Sequence, residues 1–391
     1  MRLSPIDHVF TGEQGYSIEF LFFYQERLAL KQLKSSLKNA SKKFYPLTQI
    51  LEERDDTYYL IDGRGVDIEF LDCNDKDMPS STDLHGLFPH YLPLRSTPGN
   101  PLFRAQLCHF KNGSTLAVNV SHCLVDGFSY FMFMSYWASL TKTPLTRVFD
   151  YLKLKLFQPQ FDRSLLCPSD LPKSVSKIEL STKTGCIVGA ERSFGDFKQN
   201  KFELVRYPKV EIQEDLARAN SQSQITLSAH DVITVKLLRV FAKKWNSEGD
   251  MLNVTSAFDY RRVHKDLKRF YFGNAVLGTY TQINFKDLYN KEVWELAEMI
   301  RSTTSSINHE RAVDSLRYLE KFRLENGTKS MANIHVSHPE RGFLITNLSR
   351  VPVASLDFGA GAPFQIVPMT MAPRVFIVMS DEKDYIVRVS V

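Results

Sequence analysis

Leu116, Val118 and Val120 alternate with Ala117, Asn119 and Ser121, and this is the clearest hydrophobic pattern in the chain. A period of two marks a β-strand, so residues 115–121 read as a strand and His122, in phase with Val118 and Val120, reads as facing the interior. Gly127 then frees the backbone to turn, and residues 128–140 are apolar nearly all round, which predicts a helix packed inside the protein rather than on its surface. Strand-like runs at 17–24, 58–61 and 102–109 and a helical run at 28–43 accompany them, so residues 1–157 are expected to form an α/β sheet domain. Pro159, Pro168 and Pro172, set among Ser, Lys and Thr, make 158–189 an expected extended crossover. Residues 190–391 then read as a second α/β domain, with strands at 205–208, 254–258, 374–379 and 385–391 and helices at 211–222, 228–244 and 294–307. No internal repeat or low-complexity tract interrupts this order.

With 391 residues, 43% of them hydrophobic and 24% charged, the chain has enough apolar material for two cores of ordinary size. A formal charge of +5 is spread without a run of like charges, which argues against a duplex nucleic acid partner. Cys73, Cys108, Cys123, Cys167 and Cys186 are odd in number and lack CxxC spacing, so neither a disulfide framework nor a zinc site is expected. Residues 1–14 show no signal-peptide pattern, and the apolar stretches fall short of the ~20 residues that cross a bilayer. A glycan on the sequon Asn119-Val120-Ser121 would block the strand leading to His122, which also favours a cytoplasmic protein with no membrane partner.

The candidate chemistry sits in Ser121-His122-Cys123-Leu124-Val125-Asp126-Gly127, a potential general base beside a carboxylate and a glycine at a strand end. A GxSxG elbow, a Walker A sequence and a GxGxxG sequence are all missing from the chain, which disfavours an α/β-hydrolase and the usual nucleotide folds. His335 and His338 could ligate a metal, but two histidines without a third nearby ligand read as ordinary polar residues, and no metal is expected. Phe128, Tyr130, Phe131 and Met132 read as core more readily than as pocket.

Four segments occur in the order of a known family. They are Ser4-Pro5-Ile6-Asp7-His8 with Phe44-Tyr45-Pro46-Leu47, the HxxxDG run, Phe258-Asp259-Tyr260-Arg261-Arg262 with Tyr271-Phe272-Gly273-Asn274-Ala275, and Asp357-Phe358-Gly359-Ala360-Gly361. Together they resemble the BAHD acyltransferases of the HxxxD superfamily, to which chloramphenicol acetyltransferase and condensation domains belong. The resemblance implies two chloramphenicol-acetyltransferase-like α/β sandwich domains, with the active site at their interface and a channel open from both sides. It implies an acyl-CoA donor, a small-molecule alcohol or amine acceptor, and no covalent acyl-enzyme or cofactor beyond the donor. His122 takes the role of general base. Asp126 pairs structurally with Arg261, and Gly127, Asp357 and Gly359 are structural. Alignment back from Asp357 makes Thr346, or Asn347 through its amide, the candidate oxyanion donor. Leu348 replaces the family's tryptophan, which implies an acceptor pocket of altered shape, and Ala360 replaces another outside the channel. A monomer is expected. Two other readings stay open: a carrier-protein donor, disfavoured because Ser121 stands where condensation domains commonly carry a second histidine, and a silent binding protein, disfavoured by the intact His122, Asp126, Gly127 and Arg261.

Overall fold

The computed structural model describes residues 1–13, 15, 17–79, 94–142, 156–189, 202–245, 251–338, 341–369 and 374–390. The expected start of the second domain at residue 190 and the last residue, Val391, lie outside them. Among the described residues the strands are β1 (Ser17–Tyr24), β2 (Gln49–Arg54), β3 (Thr57–Asp62), β4 (Ile68–Cys73), β5 (Phe103–Phe110), β6 (Gly113–Ser121), β7 (Ile187–Val188), β8 (Phe202–Pro208), β9 (Met251–Asp259), β10 (Val276–Asn284), β11 (Ile334–His335), β12 (Gly342–Asn347), β13 (Gln365–Pro368), β14 (Val375–Ser380) and β15 (Asp384–Ser390). The helices are α1 (Pro5–His8), α2 (Leu30–Lys43), α3 (Gly127–Thr141), α4 (Lys177–Thr184), α5 (Lys209–Gln222), α6 (Ala229–Lys244), α7 (Phe285–Asn290), α8 (Val293–Ser305) and α9 (His309–Asn326).

Two large sheets organise these elements. The first has the order β13-β1-β6-β5-β4 and the second β10-β9-β12-β14-β15-β8, each mixing parallel and antiparallel pairs. β6 is buried along its whole length, because helices cover one face and a smaller apolar cluster the other. Its alternation therefore records side-chain chemistry rather than exposure. α3 buries Tyr130, Phe131, Phe133, Met134 and Trp137 against β1 and α2, as its all-round apolarity requires.

The expected boundaries at 157 and 189 do not divide the sheets. β13, from the C-terminal portion, completes the first sheet by pairing with β1, and α9 puts Ala312, Leu316, Leu319 and Phe322 into the same core as β1 and α3. The stretch 158–189 is not simply extended either. It contains α4, which starts at a capping box between Ser176 and Glu179 and ends at Gly185 in the left-handed region (φ 72°).

The second sheet separates two environments. Val254, Phe343, Ile345, Phe376 and Val378 face α6 and α8 in a core of their own. The alternate positions Thr255, Ala257, Leu344, Thr346, Val375 and Ile377 line a cavity of about 1270 Å³ between the sheets. β9 and β12 pair in parallel from Asn253↔Gly342 to Ser256↔Ile345 and no further. Each continues beside its other neighbour, β9 with β10 as far as Asp259 and β12 with β14 as far as Asn347, so the seam between them opens. Ala257, Phe258, Asp259, Thr346 and Asn347 all line the cavity there.

Candidate active site

His122 follows β6 directly and lines the cavity, with its ring stacked on Phe10 at 3.8 Å between centroids. Its Nδ1 lies 3.1 Å from Asn274 Oδ1. Asn274 is fully buried, and its amide nitrogen donates to the His122 carbonyl at 2.6 Å and to Asp7 Oδ1 at 2.8 Å. Both of those partners are pure acceptors, so the NH₂ group is fixed on that side and Oδ1 faces the imidazole. Nδ1 must then carry the proton. Nε2 is left with its lone pair, and it makes no hydrogen bond among the described residues.

Asp7 is held in turn. Its Oδ2 accepts from Ser4 N at 2.9 Å, from Ser4 Oγ at 2.7 Å and from Arg163 Nε at 2.9 Å, and Arg163 also donates to the Leu124 carbonyl at 2.7 Å. Arg163 and Asp7 are both completely buried, so each guanidinium or carboxylate group depends on these contacts. The N-terminal segment, the crossover and the segment 271–275 thus meet at the His122 loop. Removal of the amide in Asn274→Ala should lower kcat about 10- to 100-fold, because the Nδ1 bond strengthens to a charge-assisted one of ~1.5–3 kcal/mol when the ring takes a proton. Steady-state kinetics would check this, with an unchanged rate as the contrary result.

Burial depresses the His122 pKa, and the nearby Asp126, Asn274 and Asp7 offset it only in part. The ring is therefore neutral, and able to act as a base, at a pH lower than the ordinary ~6.5 of histidine. The acid limb of a kcat/KM profile should accordingly fall below ~6.5; a midpoint above that value would contradict the geometry.

Asp126 points away from His122. Its two oxygens receive Arg261 NH1 at 2.7 Å and NH2 at 3.0 Å, the amide of Ser129 at 2.9 Å as the N-cap of α3, and the amide of Ala275 at 2.8 Å. Burial alone would raise its pKa, but Arg261 and these donors hold it below the usual carboxylate range. Arg261 also donates to Asp259 and to the Tyr271 and Gly273 carbonyls, which ties the His122 loop to the end of β9. Gly127 is not in the left-handed region, so the backbone of the turn does not itself demand a glycine. A Cβ there would come within 3.0 Å of Leu348 Cδ2, and close approach across the cavity is what a larger residue would disturb.

Thr346 and Asn347 both line the cavity. The Thr346 hydroxyl makes no hydrogen bond among the described residues. The Asn347 amide oxygen instead closes the turn after β12, accepting from Ser349 N at 3.0 Å and Oγ at 2.7 Å. Asp357 and Gly359 do not line the cavity. Asp357 accepts from the amides of Gly359 (2.8 Å) and Gly361 (3.0 Å), an arrangement that needs Gly359 at φ 94°, and Phe358 packs edge-on to Trp137 at 4.9 Å.

Sequence reasoning missed several cavity residues. Phe128, Phe131 and Met132 line it, whereas Tyr130 is core, donating to the Val118 carbonyl at 3.0 Å. His335 and His338 line it too, and no group of three or more His, Cys, Asp or Glu among the described residues is placed to hold a metal ion. Asn274 was visible inside the YFGN-like segment, but nothing in its spacing tells that it touches His122. Cys123 is fully buried, with its thiol pushed up to about 12 by burial, and it lies off the cavity wall.

Two mixed sheets with a half-buried histidine lining a cavity between them describe an acyltransferase of the chloramphenicol-acetyltransferase-like fold. The Transferase family model matches residues 1–390, and the chain belongs to this family, that of the BAHD acyltransferases. It is similar to shikimate O-hydroxycinnamoyltransferase of Nicotiana tabacum, with 24% identity over 86% of this chain and 78% of the relative. It is also similar to phenolic glucoside malonyltransferase 2 of Arabidopsis thaliana, with 23% identity over 98% and 86%. Among solved structures, F. graminearum TRI101 complexed with coenzyme A and T-2 mycotoxin superposes with a TM-score of 0.78 at 13% identity, covering 100% of this chain and 94% of that one. Vinorine synthase gives 0.67 at 16% identity, covering 100% and 89%. No helix among the described residues is long and apolar enough to cross a membrane.

Proposed function

We propose that the protein moves an acyl group from a coenzyme A thioester to a hydroxyl or amine of a small molecule, with His122 as general base. The observation that carries this reading is the chain Asp7–Asn274–His122, which leaves Nε2 of a half-buried, neutral imidazole unprotonated on the cavity wall. Nε2 takes the proton of the acceptor as its oxygen or nitrogen attacks the thioester carbonyl. The Thr346 hydroxyl donates to the oxyanion of the tetrahedral intermediate. Collapse expels the thiolate, which takes the proton back from the imidazolium. A base and an oxyanion donor from side chains suffice, so no cofactor beyond the donor is invoked. The inert Cys123 supports direct transfer without an acyl-enzyme.

The wall supports an apolar, anionic substrate pair. Phe128, Phe157 and Phe270 line it, and it carries four arginines (Arg261, Arg262, Arg350, Arg374) against two aspartates, Asp126 and Asp259, which are both paired with Arg261. Hydroxycinnamoyl and malonyl groups, as named in the relatives, are therefore the acyl groups to try first. A site completed within one chain supports a monomer, and five free cysteines support the cytoplasm. Incubation with hydroxycinnamoyl-CoA or malonyl-CoA and a mixed panel of alcohols and amines, followed by mass spectrometry, should reveal an acylated product and released coenzyme A. Thiol release no greater than that of His122→Ala across the panel would overturn the reading.

A further inference from the structure

Three segments distant in sequence meet at the rim of the cavity and leave aromatic side chains in solvent there. α2 runs into a short 3₁₀ turn at Tyr45–Thr48, with Pro46 near its start and Tyr45 on the surface. The stretch 156–161 lies beside it, with Tyr45 against Phe161 at 4.9 Å between centroids and Lys43 Nζ 3.4 Å from Gln158 Oε1. Gln160 fastens that stretch to 268–272. Its amide donates to the Phe270 carbonyl at 2.9 Å, its carbonyl accepts from Phe272 N at 2.8 Å, and its side chain accepts from Lys268 N at 2.9 Å. Phe270 is thereby set against Phe157 at 5.0 Å. Phe128, Phe157 and Phe270 line the cavity, so this patch is its mouth. Tyr45 and Phe128 are each 41% exposed and Phe270 38%, which leaves a large part of every one of these rings in water.

The same segments are basic. Residues 42–48, 156–162 and 262–270 hold Lys42, Lys43, Arg262, Lys265, Lys268 and Arg269 against only Asp162 and Asp266. None of these cations forms an ion pair among the described residues, and the Arg269 guanidinium lies 5.7 Å from the centre of the Phe270 ring. An exposed apolar patch marks a surface that meets a partner. Aromatic rings set among unpaired cations fit a bilayer with anionic headgroups in both respects, since the rings settle at the boundary of headgroups and acyl chains while the negative surface potential holds the cations. A protein partner or a second copy seated here would close the mouth, whereas a bilayer leaves it open to apolar substrates dissolved in the lipid. We propose that this face docks on an anionic membrane surface, with the mouth of the cavity held against the lipid. The docking goes beyond the acyl-CoA reading and does not depend on it. It departs from the expectation of no membrane partner, which drew on the length of the apolar stretches and so bears on crossing a bilayer rather than on lying against one.

The test is co-sedimentation of the purified protein with vesicles of phosphatidylcholine alone and with equimolar phosphatidylcholine and phosphatidylserine. The wild type should sediment with the mixed vesicles and not with the neutral ones, and should be released at about 1 M salt, where the Debye length is only ~3 Å. Lys268→Glu/Arg269→Glu should weaken binding to the mixed vesicles at least ~25-fold, about fivefold for each basic side chain lost. Tyr45→Ser/Phe270→Ser should weaken it about three- to tenfold through the lost apolar contact. Lys286→Glu/Lys383→Glu makes the same change in net charge at exposed positions outside the three segments, and should bind as the wild type does. Both charge variants alter only exposed side chains, so their Tm should match the wild type. A wild type that ignores the mixed vesicles, or binds neutral ones equally well, would overturn the docking while leaving the acyltransferase reading intact. A loss in Lys286→Glu/Lys383→Glu as large as in Lys268→Glu/Arg269→Glu would overturn it too, because net charge and not this face would then be responsible. A wild-type dimer that Tyr45→Ser/Phe270→Ser splits would overturn it in favour of a second copy on the same face.

Discussion

Replacing His122 by alanine should lower kcat about 10²- to 10⁴-fold, the usual contribution of a positioned general base, with coenzyme A affinity retained. That range corresponds to ~3–5 kcal/mol of barrier and exceeds the effect expected of any other side chain in the cavity. The expectation follows from the hydrogen bonds rather than from the motif. Asn274 cannot turn its amide round without setting NH₂ against Nδ1–H and losing its donors to Asp7 and the His122 carbonyl, so the base is held in one tautomer. Steady-state kinetics with a fixed donor would decide the matter. A His122→Ala enzyme within tenfold of wild type would show that another group removes the proton.

The second large effect is on stability. Arg261→Met should destabilise the protein by about 3–5 kcal/mol, because Asp126 would stay buried with only the amides of Ser129 and Ala275 as donors. Urea unfolding monitored by fluorescence would report it. Adding Asp126→Asn in the same chain should return part of the loss, since it removes the orphaned charge. The pair also sets an acid limit. The folded pKa of Asp126 is depressed, so its contribution is fully present above the unfolded value of ~3.9 and is lost as the pH falls through the still lower folded value. An Arg261→Met protein as stable as the wild type would contradict a structural role for the pair.

Local patterns carried much of this structure. The expected strand at 17–24 coincides with β1, and the helices at 128–140 and 228–244 match α3 and α6 to within a residue or so at each end. Those segments state their environment in their own periodicity. α9 was overlooked although Asn308 caps it and Ala312, Leu316 and Leu319 mark its buried face, a signal as good as that of α6. The strand exchange of β13 and the cover that α9 gives to the first core are different in kind. The first joins residues more than 300 positions apart, such as Phe22 and Ile366, the second joins α9 to α3 across more than 160 positions, and no local pattern encodes such contacts.

The site divides in the same way. His122, Asp126 and Arg261 were recognisable because a loop and a short segment carry them in recognisable surroundings. Asn274, Asp7 and Arg163 act through distance in sequence, with 152 residues between His122 and Asn274 and 156 between Asp7 and Arg163. A buried ion pair that spans three segments leaves no trace in composition or spacing. The constraint on Gly127 also comes from a distance, since a Cβ there would meet Leu348 across the cavity.

The most direct check on coenzyme A dependence is thermal unfolding of the purified protein with and without coenzyme A, hydroxycinnamoyl-CoA and malonyl-CoA, which needs no knowledge of the acceptor. At a ligand concentration of roughly 100 times Kd, binding to the folded state adds about 2.7 kcal/mol, so the midpoint should rise clearly and to different extents with the acyl group. A midpoint unmoved by every thioester would contradict acyl-CoA as the donor.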